Sequence, residues 1–250
     1  SKTATIGIGH SQKLSKMGIE VITGEHPLRL LEEGFDLIVK NPGIPYSVPL
    51  ISQAIEIGIP VITEIEVATS VLTAPCIGIT GTNGETTTSE LTAAILREFF
   101  GKEYVHLAGN IGIPLSEVVE NIQESDQVVL ELSSFQLMGS PKIHPHIAAI
   151  TNIYSAHLDY PGNQAAYEDA KLHITKNQTP SDYIIYNEDL SGMKEKIIVY
   201  SKAQLIPFSR VKEVKEGAYL KQNFIYFKEE KVLSIDQVKL PGLHNLENVL

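Results

Sequence analysis

The stretch CIGITGTNGETTTSELTAAILREFF, residues 76–100, constrains the fold more than any other. Its first five residues form a short buried run of the kind that becomes a strand covered on both faces, and apolar positions then recur at helical spacing. Gly81 and Gly84 stand between the two patterns. A strand that turns at once into a helix carries the chain back toward a parallel neighbour, so this unit predicts an α/β fold. Further strand patterns in YVHLAGN, QVVLELSSF, IAAITNIY and DYIIYN alternate with helical ones in PLSEVVENI and AAYEDAKLHITKN. Near Ile197 the pattern changes to short runs, IIVYS, AYLKQNFIYFKEEKVLSI and VKLPG, which predict a small antiparallel appendage.

The residues before this unit repeat the alternation. TATIGIG, IEVIT, FDLIVK and PVITE read as strands, and SQKLSKMG, HPLRLLEEG, VPLISQAIEIG and EIEVATSVLT as helices. A proline and a new buried run follow in TAPCIGITG, which puts a domain boundary near Thr73. Residues 1–73 and 74–250 are therefore expected to be separate domains. The last segment, LPGLHNLENVL, begins a helix that stops after about one turn, so the second domain reads as incomplete at its end.

Charge excludes several functions. A formal net charge of -10 without a basic run argues against binding to nucleic acid or to an anionic membrane surface. No apolar run approaches the roughly 20 residues of a membrane span, and the start has no signal-peptide plan. The single cysteine, Cys76, rules out an internal disulfide framework and is expected to pack in the core. A cytoplasmic location fits these features.

The loop GITGTNGETTT, Gly78 to Thr88, has the context of a phosphate-binding loop. Gly81 and Gly84 let the backbone curl so that amides, with those of Thr82 and Asn83, face phosphate oxygens at a helix N-terminus. Thr86 or Thr87 would offer a hydroxyl to Mg2+. Glu85 stands where such loops carry a lysine. Two unit charges about 4 Å apart interact by about 4 kcal/mol at an effective dielectric of 20, so reversing the sign weakens nucleotide binding steeply. Glu85 could instead turn outward, or act as a magnesium ligand.

These residues bring a family into view. GITGTNGETTT, LAGNIGIPLSEV, LELSSFQL, TNIYSAHLDY, AYEDAKLHI and LPGLHNLEN, in this order, resemble the Mur ligases, over about Lys13 to Leu250. The resemblance is to those members that join D-glutamate to UDP-N-acetylmuramoyl-L-alanine in cytoplasmic peptidoglycan synthesis. It implies ATP-dependent amide formation through an acyl phosphate, with ATP and Mg2+ as cofactors and a monomeric state. It also implies a shortened Rossmann-like nucleotide-sugar domain over residues 1–73. Residues 74–250 would be the parallel-sheet ATPase domain, and a third, amino-acid-binding domain is absent.

By the same resemblance, Glu131, His157 and Lys171 are the catalytic group. Glu131, His157 and Thr86 are expected at the metals, with Lys171 bridging them as a carbamate. Gly81, Thr82, Asn83, Gly84, Glu85, Thr86 and Thr87 match the ATP loop, and Asn245 and Asn248 match the region that contacts adenine. Asn110, Ser133 and Gln136 match contacts to the muramoyl substrate, and the loop KNPGIPY, Lys40 to Tyr46, lies near the nucleotide-sugar site. Read from the residues alone, each has a plainer role: strand-end hydrogen bonding for Asn110 and Ser133, a helix cap for Asn245, a turn for Asn-Pro-Gly, an exposed helix lysine for Lys171. Tyr160-Pro161-Gly162 and Glu85 depart from the family pattern. Glu85 and the missing segments leave a second reading open, a non-catalytic binding or scaffold remnant of the ligase fold. A folate polyglutamate ligase is a third, disfavoured by LELSSFQL and NPGIPY.

Overall fold

The computed structural model describes residues 8–24, 26–154 and 164–250. His157 and Tyr160-Pro161-Gly162 lie outside them. Two compact units result: Ser1–Ile38 with Ile44–Val61, and Val39–Gly43 with Ile62–Leu250. This division precedes the boundary expected near Thr73, because the helix Glu64–Val71 buries Ile65 and Ala68 in the core of the second unit.

The first unit holds α1 (Ile8–Lys16), a 3-10 turn over Leu28–Glu33, and α2 (Pro49–Glu56). Pro49 opens α2, where a missing N–H costs nothing, and Ile51 and Ala54 are its buried residues. Two short strands, β1 (Ile38–Lys40) and β2 (Val61–Thr63), form a two-stranded sheet. The run IEVIT, expected to be a strand, forms none.

In the second unit the helices are α3 (Glu64–Val71), α4 (Glu85–Phe100), α5 (Leu115–Val118), α6 (Ser134–Met138), α7 (Gln164–Leu172), α8 (Met193–Tyr200) and α9 (Leu243–Val249). Its strands are β3 (Cys76–Thr80), β4 (Val105–Gly109), β5 (Gln127–Glu131), β6 (Ile147–Ile150), β7 (Tyr183–Asn187), β8 (Gln204–Ser209), β9 (Ala218–Lys221), β10 (Phe224–Phe227) and β11 (Glu230–Ser234). They form one sheet in the order β11-β10-β9-β8-β7-β6-β3-β5-β4. Pairing is parallel from β4 through to β9 and antiparallel between β9, β10 and β11.

The central strands β3, β5 and β6 are largely apolar because both faces are covered. Val128, Leu130, Ala148 and Ile150 pack with Leu115, Leu137, Leu172 and Ile197 of α5, α6, α7 and α8. The alternate residues Val129, Ala149 and Ile79 pack with Ala93 and Leu96 of α4. Cys76 is buried as expected, and burial pushes its thiol up to about 12, which leaves it inert as a nucleophile.

The antiparallel appendage is present, but IIVYS is not part of it. Those residues close α8, where Met193 and Ile197, four residues apart, are both buried. One-sided burial at helical spacing outweighs the strand preference of consecutive β-branched residues. No strand forms at VKLPG either.

Register aligns the carboxyl ends of the central strands. Ile79 pairs with Glu131, Gly109 with Glu131, and Thr80 with Ile150. The segments that follow β3, β4, β5 and β6 therefore leave the sheet along one edge. β3 sits between strands reached by crossovers in opposite directions, the place where open α/β sheets form ligand crevices.

Candidate functional site

The phosphate loop leaves β3 after Thr80 and enters α4 at Glu85. Two glycines are required there by space. A Cβ on Gly81 would lie 1.9 Å from Thr151 Oγ1, and one on Gly84, whose φ is +84°, would lie 2.2 Å from Asn248 Oδ1. The loop is braced by the end of β6. Asn152 Oδ1 accepts from the N–H groups of Thr82 at 3.2 Å and Asn83 at 2.9 Å, and Asn152 Nδ2 donates to Asn83 O at 2.9 Å. Thr151 Oγ1 also donates to Asn83 O, at 2.8 Å. Thr82 Oγ1 accepts from Tyr154 N–H at 3.0 Å and from Tyr167 OH at 3.3 Å. Sequence reasoning missed Asn152 as part of this loop, although it lies in TNIY; the signal is an Asn at the carboxyl end of the strand adjacent to the loop.

Glu85 does not turn outward. Its Oε1 accepts from Gly81 N–H at 2.8 Å and from Lys171 Nζ at 3.0 Å. Thr80 Oγ1 approaches it to 3.5 Å but donates to Leu132 O at 2.6 Å, so the hydroxyl is already committed. The carboxylate thus lies back over its own loop and takes the Gly81 amide. Lys171 is not an exposed helix lysine either: it is 2% exposed, donates to Thr80 Oγ1 at 3.3 Å and lies 5.2 Å from the centre of the Tyr167 ring. Both of its hydrogen bonds are made as a donor, an ammonium paired with a carboxylate.

Glu131, at the end of β5, is 4% exposed. Its Oε1 accepts from Asn110 Nδ2 at 3.0 Å, while Oε2 is buried without a hydrogen-bond partner among the described residues. An unsatisfied buried carboxylate oxygen is costly and suits a cation. Among the described residues no group of three His, Cys, Asp or Glu could hold a metal by itself. Mg2+ does not need one, since it is commonly held by one or two carboxylates with water and phosphate oxygens. The residues therefore fit Mg2+ with Glu131 as its carboxylate. Of the two hydroxyls named for it, Thr86 is exposed and Thr87 half-buried in the first turn of α4.

Asn110, Ser133 and Gln136 meet in one cleft of about 540 Å³, lined also by Lys40, Asn41 and Glu64. Ser133 and Gln136 form a capping box on α6: Ser133 Oγ accepts from Gln136 N–H at 3.3 Å, and Ser133 N–H donates to Gln136 Oε1 at 3.0 Å. Asn41 Oδ1 accepts from Gly43 N–H at 2.9 Å, the turn expected of Asn-Pro-Gly. Lys40 is 4% exposed, and burial draws its ammonium below its usual range. At the other end of the chain, Asn248 lies beside Gly84 at the loop's α4 end and donates through Nδ2 to Asn245 Oδ1 at 3.1 Å. Asn245 Nδ2 also donates to Pro241 O at 2.6 Å, a local bond at the start of α9.

Residues 79–250, from the end of β3 through α9, match the Mur ligase middle domain. The chain belongs to the Mur ligase family. This Mur ligase chain is 48% identical over 240 residues to a UDP-N-acetylmuramoylalanine–D-glutamate ligase of Lactiplantibacillus plantarum, a match covering 96% of the chain and 52% of that relative. It is 50% identical over 238 residues to the protein of the same name in Bacillus mycoides, covering 95% and 52%. The chain spans about half the length of these relatives. Among solved structures it resembles the UDP-N-acetylmuramate:L-alanyl-gamma-D-glutamyl-meso-diaminopimelate ligase of Neisseria meningitides, with a TM-score of 0.61, 18% identity, and coverage of 96% and 79%. It also resembles the MurF ligase of Thermotoga maritima in complex with ADP, with a TM-score of 0.53, 16% identity, and coverage of 85% and 57%. At these identities the structures establish the Mur ligase fold. Among the described residues no helix is long and apolar enough to cross a membrane.

Proposed function

We infer that the chain is the nucleotide-handling part of a cytoplasmic, monomeric, ATP-dependent ligase that joins D-glutamate to UDP-N-acetylmuramoyl-L-alanine. The observation that carries this reading is the alignment, along one sheet edge, of a glycine loop, a buried carboxylate with an unsatisfied oxygen, and an Asn-lined cleft. The α4 N-terminus, whose first-turn amides have no intrahelical acceptor, would bind the triphosphate. Mg2+ held by Glu131 and Thr86 would neutralise phosphate charge. Asn110 would orient the muramoyl substrate so that its carboxylate oxygen attacks the γ-phosphorus, breaking the bond to the β,γ-bridging oxygen and releasing ADP. The amine of D-glutamate would then attack the acyl phosphate, forming the amide bond and releasing phosphate. His157, with Lys171 as a carbamate, belongs to the same proposal as further metal contacts. Residues 1–73 would supply the nucleotide-sugar domain.

The direct test is titration of the chain with UDP-N-acetylmuramoyl-L-alanine. Saturable binding that weakens about tenfold in Asn110→Ala, the loss of roughly one directed hydrogen bond, supports the reading. Absence of binding contradicts its substrate half. A second reading, a non-catalytic module of ligase ancestry, is favoured by one observation: Glu85 takes the Gly81 amide. Ligation by the chain as it stands would refute that second reading.

A further inference from the structure

On the reading of the glycine loop as a nucleotide site, we propose that the ion pair between Arg210, just beyond β8, and Glu247 on α9 is a latch that seats α9 against that loop. Arg210 is then a positioning residue for the site, acting through α9.

α9 depends on what it docks against. At seven residues it is too short to be stable by itself, and no side chain caps its start. Its asparagines spend their side-chain amides locally, Asn245 Nδ2 on Pro241 O at 2.6 Å and Asn248 Nδ2 on Asn245 Oδ1 at 3.1 Å. Among the described residues, the side-chain hydrogen bond that ties α9 to another element runs from Arg210 Nε to Glu247 Oε1, at 3.1 Å. The arginine end of this bond is a fixed mount. Arg210 N–H donates to Asp189 Oδ2 at 2.8 Å, and Asp189 Oδ1 accepts from the fully buried hydroxyl of Ser209 at 2.5 Å. Ser209 Oγ accepts in turn from Val211 N–H at 3.2 Å and Lys212 N–H at 2.9 Å, so side chains hold this turn independently of α9.

The glutamate end reaches the loop. Glu247 is followed at once by Asn248, which lies beside Gly84, so the latch and the loop contact share one turn of helix. The same charges border the loop's other side. Tyr154, whose N–H donates to Thr82 Oγ1 at 3.0 Å, has its hydroxyl pushed up by burial first and then by the Glu247 carboxylate, with Arg210 opposing and Asp189 adding. A half-buried ion pair adds little to global stability, so the loss of this one is expected to show locally, in α9 and in the ligand that the loop binds.

The experiment is amide hydrogen exchange followed by NMR on the unaltered chain, Arg210→Met, Glu247→Gln and the double variant. Exchange within α9 is expected to rise about fivefold in each single variant and no further in the double, because both substitutions break one bond. High salt narrows the difference by screening the pair, and melting falls by no more than about 4 °C. A second measurement is made in the Glu85→Lys background with the magnesium complex of a non-hydrolysable ATP analogue, where Arg210→Met is expected to weaken binding about fivefold. Unchanged α9 exchange in both single variants, or additive effects in the double, overturns the latch. Faster α9 exchange with no loss of affinity overturns the positioning role. Absence of binding by Glu85→Lys itself counts against the nucleotide reading and leaves the exchange comparison to decide the latch.

Discussion

At the scale of single residues, three side chains shape the loop: Glu85, Lys171 and Asn152. Asn152 ties Thr82 and Asn83 through bonds to both their amides and to the Asn83 carbonyl. Asn152→Ala would strand these loop groups, at a cost of about 2 kcal/mol. For a chain of this size we expect melting to fall by about 4–8 °C, and an unchanged melting temperature would contradict the bracing role. Asp182, at the opposite edge of the sheet, sets a pH dependence. Burial acts to raise its carboxyl, but bonds from His144 at 2.7 Å, Thr179 N–H at 2.6 Å and His146 at 2.9 Å outweigh burial and hold it well below the usual carboxylate range. A carboxyl depressed in the folded state adds stability above its unfolded value of about 3.9, and that stability is lost as pH falls toward the folded value. Melting of the unaltered chain should therefore fall between about pH 5 and pH 3, and Asp182→Asn should flatten that slope. Equal slopes would show that Asp182 has no such role. The identity of Glu85 was plain in the sequence, but its partner was not, because Lys171 lies 86 positions away and meets it only through the crossover that brings α7 against β3.

At the scale of elements, the strand, loop and helix of residues 76–100 were legible because three independent patterns coincide there: a buried run, paired glycines and helical spacing. IIVYS was misread because its composition favours a strand while its burial, Met193 and Ile197 on one side, follows a helix. IEVIT and HPLRLLEE carried equally short patterns, and the first forms no strand while the second forms a 3-10 turn. The appendage shows what composition cannot convey. Its two hairpin turns, Gln222-Asn223 and Lys228-Glu229, place every turn residue at positive φ, from 44° to 69°. Such turns favour Asn-Gly, and left-handed geometry is unfavourable for most side chains. Replacing Lys228-Glu229 with Asn-Gly should stabilise the protein by about 1 kcal/mol in denaturant unfolding, and a loss of stability would show that the two side chains contribute more than the backbone strain they impose.

At the scale of the whole molecule, the chain is acidic, at a formal -10, yet its proposed ligands are anions. Attraction must then be local, supplied by the α4 N-terminus and Mg2+ rather than by the net field. The family and the sheet were readable from ordered motifs. The grouping of Asn110, Ser133 and Gln136 came from the resemblance alone, because their convergence on one cleft depends on the parallel register of β4 and β5, which no local pattern carries. The central claim is that this sheet edge is a nucleotide site whose phosphate loop is disabled by Glu85, and one titration addresses it most directly. The unaltered chain and Glu85→Lys would be compared for binding the magnesium complex of a non-hydrolysable ATP analogue. Exchanging a repelling charge for an attracting one at the phosphates should tighten binding by on the order of 100-fold, equivalent to about 2.7 kcal/mol. Equal affinity in the two proteins would contradict the account of Glu85, and no binding by Glu85→Lys would contradict the nucleotide site itself.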